Sequence, residues 1–172
     1  MQNNQNYRDW IQSDPQYNKE EAWPSSIFPK AKYHFFKETG CLVTSLAIML
    51  RHFGIEKEED EEKFNPWILN KRFIEKELFT ESADLELNYI DRVYPIEYKG
   101  RFPFSFEKLK ELYESGQPFL LTVPGVKGER HFIVPDELID DNLTVIDCAW
   151  QKKYLSDFNT ICELRKFQRK EA

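Results

Sequence analysis

Residues 38–54 read ETGCLVTSLAIMLRHFG, in which a glycine and a cysteine precede a nearly continuous apolar run. The apolar side chains recur at three- and four-residue intervals, which predicts a helix over residues 40–53. Few positions remain for a solvent-facing side, so we expect this helix to be central and buried. Gly54 follows the last apolar residue and is a favourable helix stop.

Cys41 lies in the first turn of this predicted helix. Unpaired backbone N–H groups and the positive end of the helix dipole occur there, and both favour a thiolate over a thiol. A thiolate attacks carbonyl carbon, so Cys41 is a candidate nucleophile. Free cysteine usually acts as a small buried hydrophobic residue, and Cys41 considered alone fits that structural role better.

Length and composition indicate one folded domain spanning residues 1–172, with an irregular arm over residues 1–33. Hydrophobic residues make up 41% and aromatic residues 15%, which excludes a disordered or fibrous chain. The formal net charge of -6 argues against nucleic acid or anionic membrane as the main partner. No apolar run reaches the length of a membrane span, and the polar N-terminus lacks the apolar segment of a signal peptide. We therefore expect a cytoplasmic protein, or one exported by a route that the sequence does not reveal.

The three cysteines are an odd number without framework spacing, so a disulfide scaffold is not expected. CxxC and HExxH motifs do not occur and the three histidines are far apart, so no metal site is expected either. His52 ends the buried helix, where a cation suits the dipole, and His34 is interpreted as a loop residue.

Further helices are predicted before the strands along the chain. Asn65 and Pro66 predict the start of a helix that runs to residue 78, and Ser105 predicts the start of one over residues 105–115. Residues 84–104 fit short strands or an extended connection. Apolar runs bounded by turn residues predict strands over 119–123, 131–134, 143–146 and 160–167. Helices followed by antiparallel strands indicate an α+β fold.

His131 opens one of these predicted strands, and Asp147 ends the next. Each residue alone has an ordinary explanation, as a packed or surface histidine and as a turn former. If the two consecutive strands pair as a hairpin across a loop at 135–142, their outer ends lie side by side. An aspartate at that position orients a histidine ring and stabilises its charged form. The pair is therefore a candidate partner for Cys41.

Several short motifs follow one another in a characteristic order: Thr39-Gly40-Cys41 with the apolar helix, Asn65-Pro66, Gly116-Gln117-Pro118, His131-Phe132-Ile133-Val134 and Val145-Ile146-Asp147. This order resembles that of papain-like cysteine peptidases and is most similar to the C39-like peptidase branch, over residues 16–167. The resemblance implies a papain-like fold, with a buried N-terminal helix packed on a C-terminal antiparallel sheet. It also implies a cysteine peptidase that needs no cofactor, with Cys41 as nucleophile, His131 as general base and acid, and Asp147 as orienting group.

Three positions depart from the family pattern. Leu42 stands where a second glycine often follows the cysteine, Cys148 where a proline commonly follows the aspartate, and Phe35 where the bacteriocin-processing group has a glutamine. The departures keep two alternatives open, a catalytically degenerate papain-like module that binds peptides or other partners, and a transglutaminase-like acyl transferase. The substrate stays open among peptide bonds in proteins, in leader peptides and in peptidoglycan cross-links. Cys148 points away from Asp147 in an extended strand, which predicts that it packs in the core.

The proposed chemistry requires hydrogen-bond donors for the oxyanion that develops during attack. One donor is the backbone N–H of Cys41, and the resemblance implies a side-chain amide from the N-terminal arm as the second. Gln16 is preferred over Asn18 and Gln12, because glutamine has the longer reach and Gln16 lies among the aromatic anchors of the arm. A plain surface glutamine is the alternative interpretation.

Overall fold

Residues 6–171 are described by a computed structural model, and they form a five-stranded antiparallel sheet with α-helices packed on it. The helices are α1 (Phe36–Thr39), α2 (Cys41–His52), α3 (Pro66–Glu75) and α4 (Phe106–Ser115). The strands are β1 (Ile96–Pro103), β2 (Phe119–Pro124), β3 (Arg130–Ile139), β4 (Asn142–Asp147) and β5 (Glu163–Arg169). The predicted α+β fold with an antiparallel sheet is confirmed.

The strand order in the sheet is β1-β5-β2-β3-β4, so the last strand of the chain lies between the first two. Strands β3 and β4 form a hairpin whose turn residues, Asp140 and Asp141, have φ angles of 49° and 65°. Aspartate tolerates this left-handed conformation, and two such residues fit the tight turn of a hairpin. The predicted loop at 135–142 is therefore wrong. The strand continues past Pro135 because an irregularity between Pro135 and Leu138 accommodates the proline.

The helix starts follow the capping residues seen in the sequence. The Asn65 side chain accepts a hydrogen bond from the backbone N–H of Ile68 at 2.9 Å, and Ser105 does the same for Lys108 at 3.1 Å. Helix α3 ends at Glu75, before the predicted residue 78, because the chain reverses at Glu77 with a φ of 59°.

Helix α2 is buried against one face of the sheet, as predicted for the central helix. All eight residues from 43 to 50 are buried. The sheet residues that share its apolar cluster include Leu120, Phe132, Val134 and Ile146. The alternate residues Leu121, Ile133 and Val145 share a second cluster with Leu109 and Leu112 of α4. The two clusters place α2 and α4 on opposite faces of the sheet, because successive strand residues point to opposite sides.

The N-terminal arm is irregular, as predicted, over residues 6–33, where 3-10 turns form at Tyr7–Asp9 and Pro15–Tyr17. Residues 1–5 lie outside the described residues. Trp10 and Trp23 of the arm are 1% and 2% exposed, and the Trp10 indole donates a hydrogen bond to Glu61 at 2.7 Å. The arm is thus fixed to the helices by its aromatic side chains. Across the described residues, no helix combines the length and the apolar content needed to cross a membrane.

Candidate active site

Cys41 is the first residue of α2 and is half-buried. Gly40 precedes it as the N-cap, and a Cβ atom on Gly40 would lie 2.6 Å from the carbonyl oxygen of Phe36. The close approach of the short helix α1 therefore requires glycine immediately before the cysteine. The Cys41 sulfur lies 3.9 Å from the carbonyl oxygen of Arg130, at the start of β3. This contact joins the beginning of the buried helix to the beginning of the strand that carries His131.

His131 and Asp147 form a buried pair beside this cysteine. Nε2 of His131 lies 2.7 Å from Oδ1 of Asp147, and the two residues are each 4% exposed. The other ring nitrogen, Nδ1, is then the one available to the Cys41 thiol, and the neighbouring Cys41 contributes to the raised pKa of His131. Asp147 lies opposite Ile133 in the β3–β4 ladder, so it reaches His131 diagonally across the hairpin. The structure brings Cys41, His131 and Asp147 together.

The charges of the pair follow from these hydrogen bonds. Burial opposes a charged imidazole, but the hydrogen bond to Asp147 and the neighbouring Cys41 outweigh it and raise the pKa of His131 to about 9. Burial also opposes a charged carboxylate, but hydrogen bonds from His131 and from the backbone N–H groups of Ala149 and Lys152 lower the pKa of Asp147. An imidazolium and a carboxylate are therefore the favoured forms at neutral pH, next to the Cys41 sulfur.

Trp150 covers the histidine on its outer side. The centroid of its ring lies 4.5 Å from that of His131, and the Trp150 side chain is 41% exposed to solvent. Phe158 and the Lys152 ammonium pack on Trp150 in turn, with the ammonium 5.4 Å from the ring centroid. The indole therefore shields the hydrogen bond between His131 and Asp147 from bulk water.

Cys41 and His131 line a cleft of ≈ 630 Å³. This volume lies within the range of sites that bind small molecules or peptide side chains. Part of the wall is apolar and aromatic, formed by Trp23, Tyr33, Phe79 and Leu85. The loop between β2 and β3 contributes Val126, which is 83% exposed at the rim. The cleft thus gives an extended ligand access to the cysteine.

The prediction of Gln16 as a site residue is wrong. Its side-chain amide donates a hydrogen bond to Asp14 at 3.1 Å, and the residue is exposed and outside the lining of the cleft. The reason is local, because Asp14 caps the 3-10 turn and holds Gln16 beside it. Asn18 is also engaged elsewhere, since its amide donates to the Asp14 carbonyl at 3.0 Å.

Gln12 is the glutamine of the arm that lines the cleft. Its backbone N–H donates to the carbonyl oxygen of Cys148 at 3.0 Å, which fixes the arm next to the end of β4. Its side-chain amide lies 3.5 Å from the carbonyl oxygen of Lys37, one helical turn before Cys41. Gln16 was preferred over Gln12 as the oxyanion donor because spacing from the aromatic anchors does not reveal which way the arm turns.

Cys148 packs in the core, as predicted. It is 0% exposed, and its sulfur lies 3.5 Å from the Ser45 hydroxyl and 3.7 Å from the carbonyl oxygen of Cys41. Burial raises the pKa of the Cys148 thiol well above its ordinary value. The two neighbouring cysteines therefore differ in environment, with Cys41 facing the cleft and Cys148 filling the space behind the helix start.

A second histidine–aspartate pair lies at the other end of α2 and was missed by sequence analysis. Nε2 of His52 lies 3.5 Å from Oδ1 of Asp136, while the Tyr7 hydroxyl bonds Nδ1 of His52 at 2.9 Å. Arg8 contacts the other oxygen of Asp136 at 2.6 Å. No spacing in the sequence signals this cluster, because Asp136 falls in the segment interpreted as a loop.

No protein-family model matches this chain, and no curated protein matches it either.

Proposed function

We propose that this protein is a cysteine-dependent hydrolase of peptide or amide bonds, with a papain-like fold of the C39-like kind. The observation that carries the proposal is the buried hydrogen bond between His131 and Asp147, next to Cys41, which lines the same cleft as His131 and lies 3.9 Å from the carbonyl oxygen of Arg130. A nucleophile within reach of a base, with the base oriented by a third group, is the arrangement that covalent catalysis needs. The antiparallel sheet and the buried helix that begins at Cys41 are compatible with the papain-like fold.

The reaction begins when the Cys41 thiolate attacks the carbonyl carbon of the substrate and forms a C–S bond. The His131 imidazolium then donates its proton to the amide nitrogen as the C–N bond breaks. In the second half, neutral His131 takes a proton from water, and the hydroxide attacks the thioester carbon. The C–S bond breaks, the acid product leaves, and the thiolate–imidazolium pair is restored. Asp147 stabilises the imidazolium in both halves.

Gln12 is the side-chain donor that we propose for the oxyanion, in place of Gln16. It lines the cleft, and its amide lies 3.5 Å from the carbonyl oxygen of Lys37 in α1, four residues before Cys41. The backbone N–H of Cys41, at the start of the helix, is the second proposed donor. Two donors aimed at one oxygen are what a tetrahedral intermediate requires.

Differential labelling of the thiols tests the nucleophile. Cys41 and Cys162 are both half-buried, so exposure alone predicts similar reactivity. We expect limited iodoacetamide at pH 6, followed by peptide mapping, to modify Cys41 well before Cys162, because only Cys41 has a histidine partner. The His131→Ala variant should remove the difference. Equal or faster labelling of Cys162 in the unmodified protein would overturn the assignment of Cys41.

Turnover tests the reaction class. A library of quenched fluorescent peptides should be cleaved by the wild-type protein and not by Cys41→Ala. Products that appear only when a primary amine is added, as amine conjugates, would indicate acyl transfer instead of hydrolysis. Tight binding of library peptides without cleavage, together with slow labelling of Cys41, would indicate a degenerate binding module.

A further inference from the structure

We propose that the cleft continues into a cationic subsite that binds a carboxylate of the substrate, an inference that rests on the proposed function. The subsite, called here the cationic shelf, consists of Arg101, Arg130 and Arg165 arranged around Glu163. It would select peptides with an acidic side chain, or a free C-terminal carboxylate, near the scissile bond.

The charge on the shelf is unbalanced. Arg165, Arg130 and Arg101 lie 3.0, 3.5 and 3.7 Å from the Glu163 carboxylate. Among residues 6–171, Glu163 is the only carboxylate within 4.0 Å of any of these guanidinium groups. Three positive charges therefore surround one negative charge, in a protein whose formal net charge is -6. The local excess of positive charge occurs in a protein that is negatively charged as a whole, and it favours the binding of a second anion.

The three arginines have different roles. The Arg165 side chain is only 14% exposed, and its guanidinium packs 5.3 Å from the centroid of the Phe132 ring, so it holds Glu163 in place. The Arg130 and Arg101 side chains are 47% and 69% exposed, and their contacts with Glu163 are the two longer ones. Arg130 and Arg101 can therefore direct some of their guanidinium N–H groups toward a ligand. Guanidinium presents paired N–H donors that match a carboxylate, which identifies the ligand class.

Arg130 connects the shelf to the cleft, because it lines the cleft and lies 3.5 Å from Glu163. Arg130 and Phe132 line the cleft, and Phe132, Thr122 and Glu163 are direct cross-strand neighbours on β3, β2 and β5. Two strand spacings separate Phe132 from Glu163, roughly 10 Å. An extended peptide advances about 3.3 Å per residue, so this separation corresponds to about three residues of a peptide.

The acidic residues of the cleft do not compete for the shelf. Glu38 and Asp84 belong to α1 and to the turn after α3, away from the sheet. Glu129 is next to Arg130 in sequence, but its carboxylate accepts a hydrogen bond from the backbone N–H of Lys127 at 2.8 Å. On the helical side Glu38 and Asp84 outnumber Lys37, and on the sheet side Lys127 and Arg130 outnumber Glu129. This difference in charge gives a charged substrate a preferred direction along the cleft.

A peptide scan tests the shelf. Starting from a cleaved library peptide, a single glutamate is moved through the four positions on each side of the scissile bond, with glutamine as the neutral match. We expect one position, on one side of the bond, at which glutamate raises kcat/KM about tenfold, mainly through KM. Two further peptides, identical except that one has a free and the other an amidated C-terminus, distinguish binding of a terminal carboxylate from binding of a side-chain carboxylate. The preference should shrink in high salt.

Two classes of variant should move the preference in opposite directions. Arg101→Gln and Arg130→Gln should each lower the glutamate-to-glutamine ratio about threefold. Glu163→Gln should raise it, because removing the internal carboxylate leaves the arginines free for the ligand. A purely structural role for the cluster would not produce this reversal of sign. Lys110→Gln removes one positive charge from α4, on the opposite face, and should leave the ratio unchanged.

The outcomes separate the shelf from the hydrolase. Cleavage of the neutral peptides with a ratio near one at all eight positions would overturn the shelf and leave the hydrolase standing. If no peptide is cleaved, the same peptides are bound to Cys41→Ala and followed by fluorescence anisotropy. Tighter binding of a glutamate peptide than of its glutamine match, lost in Arg101→Gln, supports the shelf, and equal affinities overturn it.

Discussion

The two ends of helix α2 each hold a histidine–aspartate pair, but the two histidines differ in charge. At the N-terminal end, hydrogen bonding raises the pKa of His131 to about 9. At the last end, burial lowers the pKa of His52, and the nearby Asp136 does not reverse this. The negative end of the helix dipole would favour a cation at His52, so the dipole does not decide the outcome either.

The difference lies in what else each aspartate contacts. Asp136 is bound by the Arg8 guanidinium at 2.6 Å, and the positive charge of Arg8 itself disfavours a charged His52. Asp147 instead receives backbone N–H groups, and among the described residues His131 is the only cationic side chain within 4.0 Å of it. An aspartate therefore stabilises the protonated form of a neighbouring histidine when no other cation is already bound to that aspartate. This distinguishes the proposed catalytic pair from the pair at His52.

Removing each histidine in turn gives the largest expected effect. His131→Ala should lower kcat/KM roughly 10²–10⁴-fold, because it removes the group that transfers protons in both halves of the reaction. His52→Ala removes the matching residue at the other end and should leave kcat/KM unchanged. Steady-state kinetics checks this, with circular dichroism to verify folding. Equal losses in the two variants would contradict the distinction between the two ends.

The arm contacts both ends of the helix, and its glutamines test which contact serves catalysis. Gln12→Ala should lower kcat about 10²-fold or more with little change in KM, because the proposed oxyanion donor acts mainly in the transition state. Gln16→Ala is the matched control and should behave like the wild type, since Gln16 bonds only within its own turn to Asp14. A loss confined to Gln16→Ala would identify Gln16, and not Gln12, as the donor.

Replacing each aspartate with asparagine tests whether its carboxylate stabilises the protonated form of the neighbouring histidine. Asp147→Asn should lower kcat/KM at neutral pH roughly tenfold, less than His131→Ala, because the ring remains. It should also move the alkaline limb of the pH–rate profile down from about 9, since the histidine loses the carboxylate that stabilises its charge. The shift should be about one to two pH units, from about 1.5–3 kcal/mol for a charged hydrogen bond. Asp136→Asn should leave that limb in place.

The smallest expected effect is on how the stability of the fold depends on pH. The contributions of His131 and His52, at the two ends of α2, should change with pH in opposite directions. The raised pKa of His131 stabilises the fold fully below about pH 6.5, and this contribution is lost as the pH rises through about 9. The lowered pKa of His52 gives a contribution that is present above pH 6.5 and lost as the pH falls below it. His52→Gln should therefore flatten the acid side of a plot of Tm against pH, by at most about 2–4 °C. An unchanged acid slope would contradict this assignment.

Elements with local signals were predicted well from the sequence. The α2 boundaries follow from its apolar pattern, and the starts of α3 and α4 from the caps Asn65 and Ser105. The meeting of His131 with Asp147 was predictable because a hairpin joins neighbouring strands, even though the loop between them was drawn too long. The nucleophile, acid–base and orienting roles of the three site residues stay predictions that the proposed experiments test.

Features that depend on distant parts of the chain were not predictable. Gln12 and Gln16 have the same chemistry, and only the route of the arm past Cys148 separates them. Arg8 and Asp136 are 128 residues apart, so no local pattern connects them. The cationic shelf likewise needs β5 to lie beside β2, which no turn signal in the sequence specifies.

The position of β5 between β1 and β2 has a consequence for how the chain folds during synthesis. When β2 has emerged from the ribosome, its partner on the β1 side has not yet been made, so both strands keep open hydrogen-bonding edges. The sheet closes only after residues 163–169 are available, which makes the final step non-local and slow compared with formation of the β3–β4 hairpin. Until then the partly made chain carries two unpaired edges that invite association with other chains. We expect expression yield to depend on temperature and on chaperones more than the stability of the finished protein would suggest.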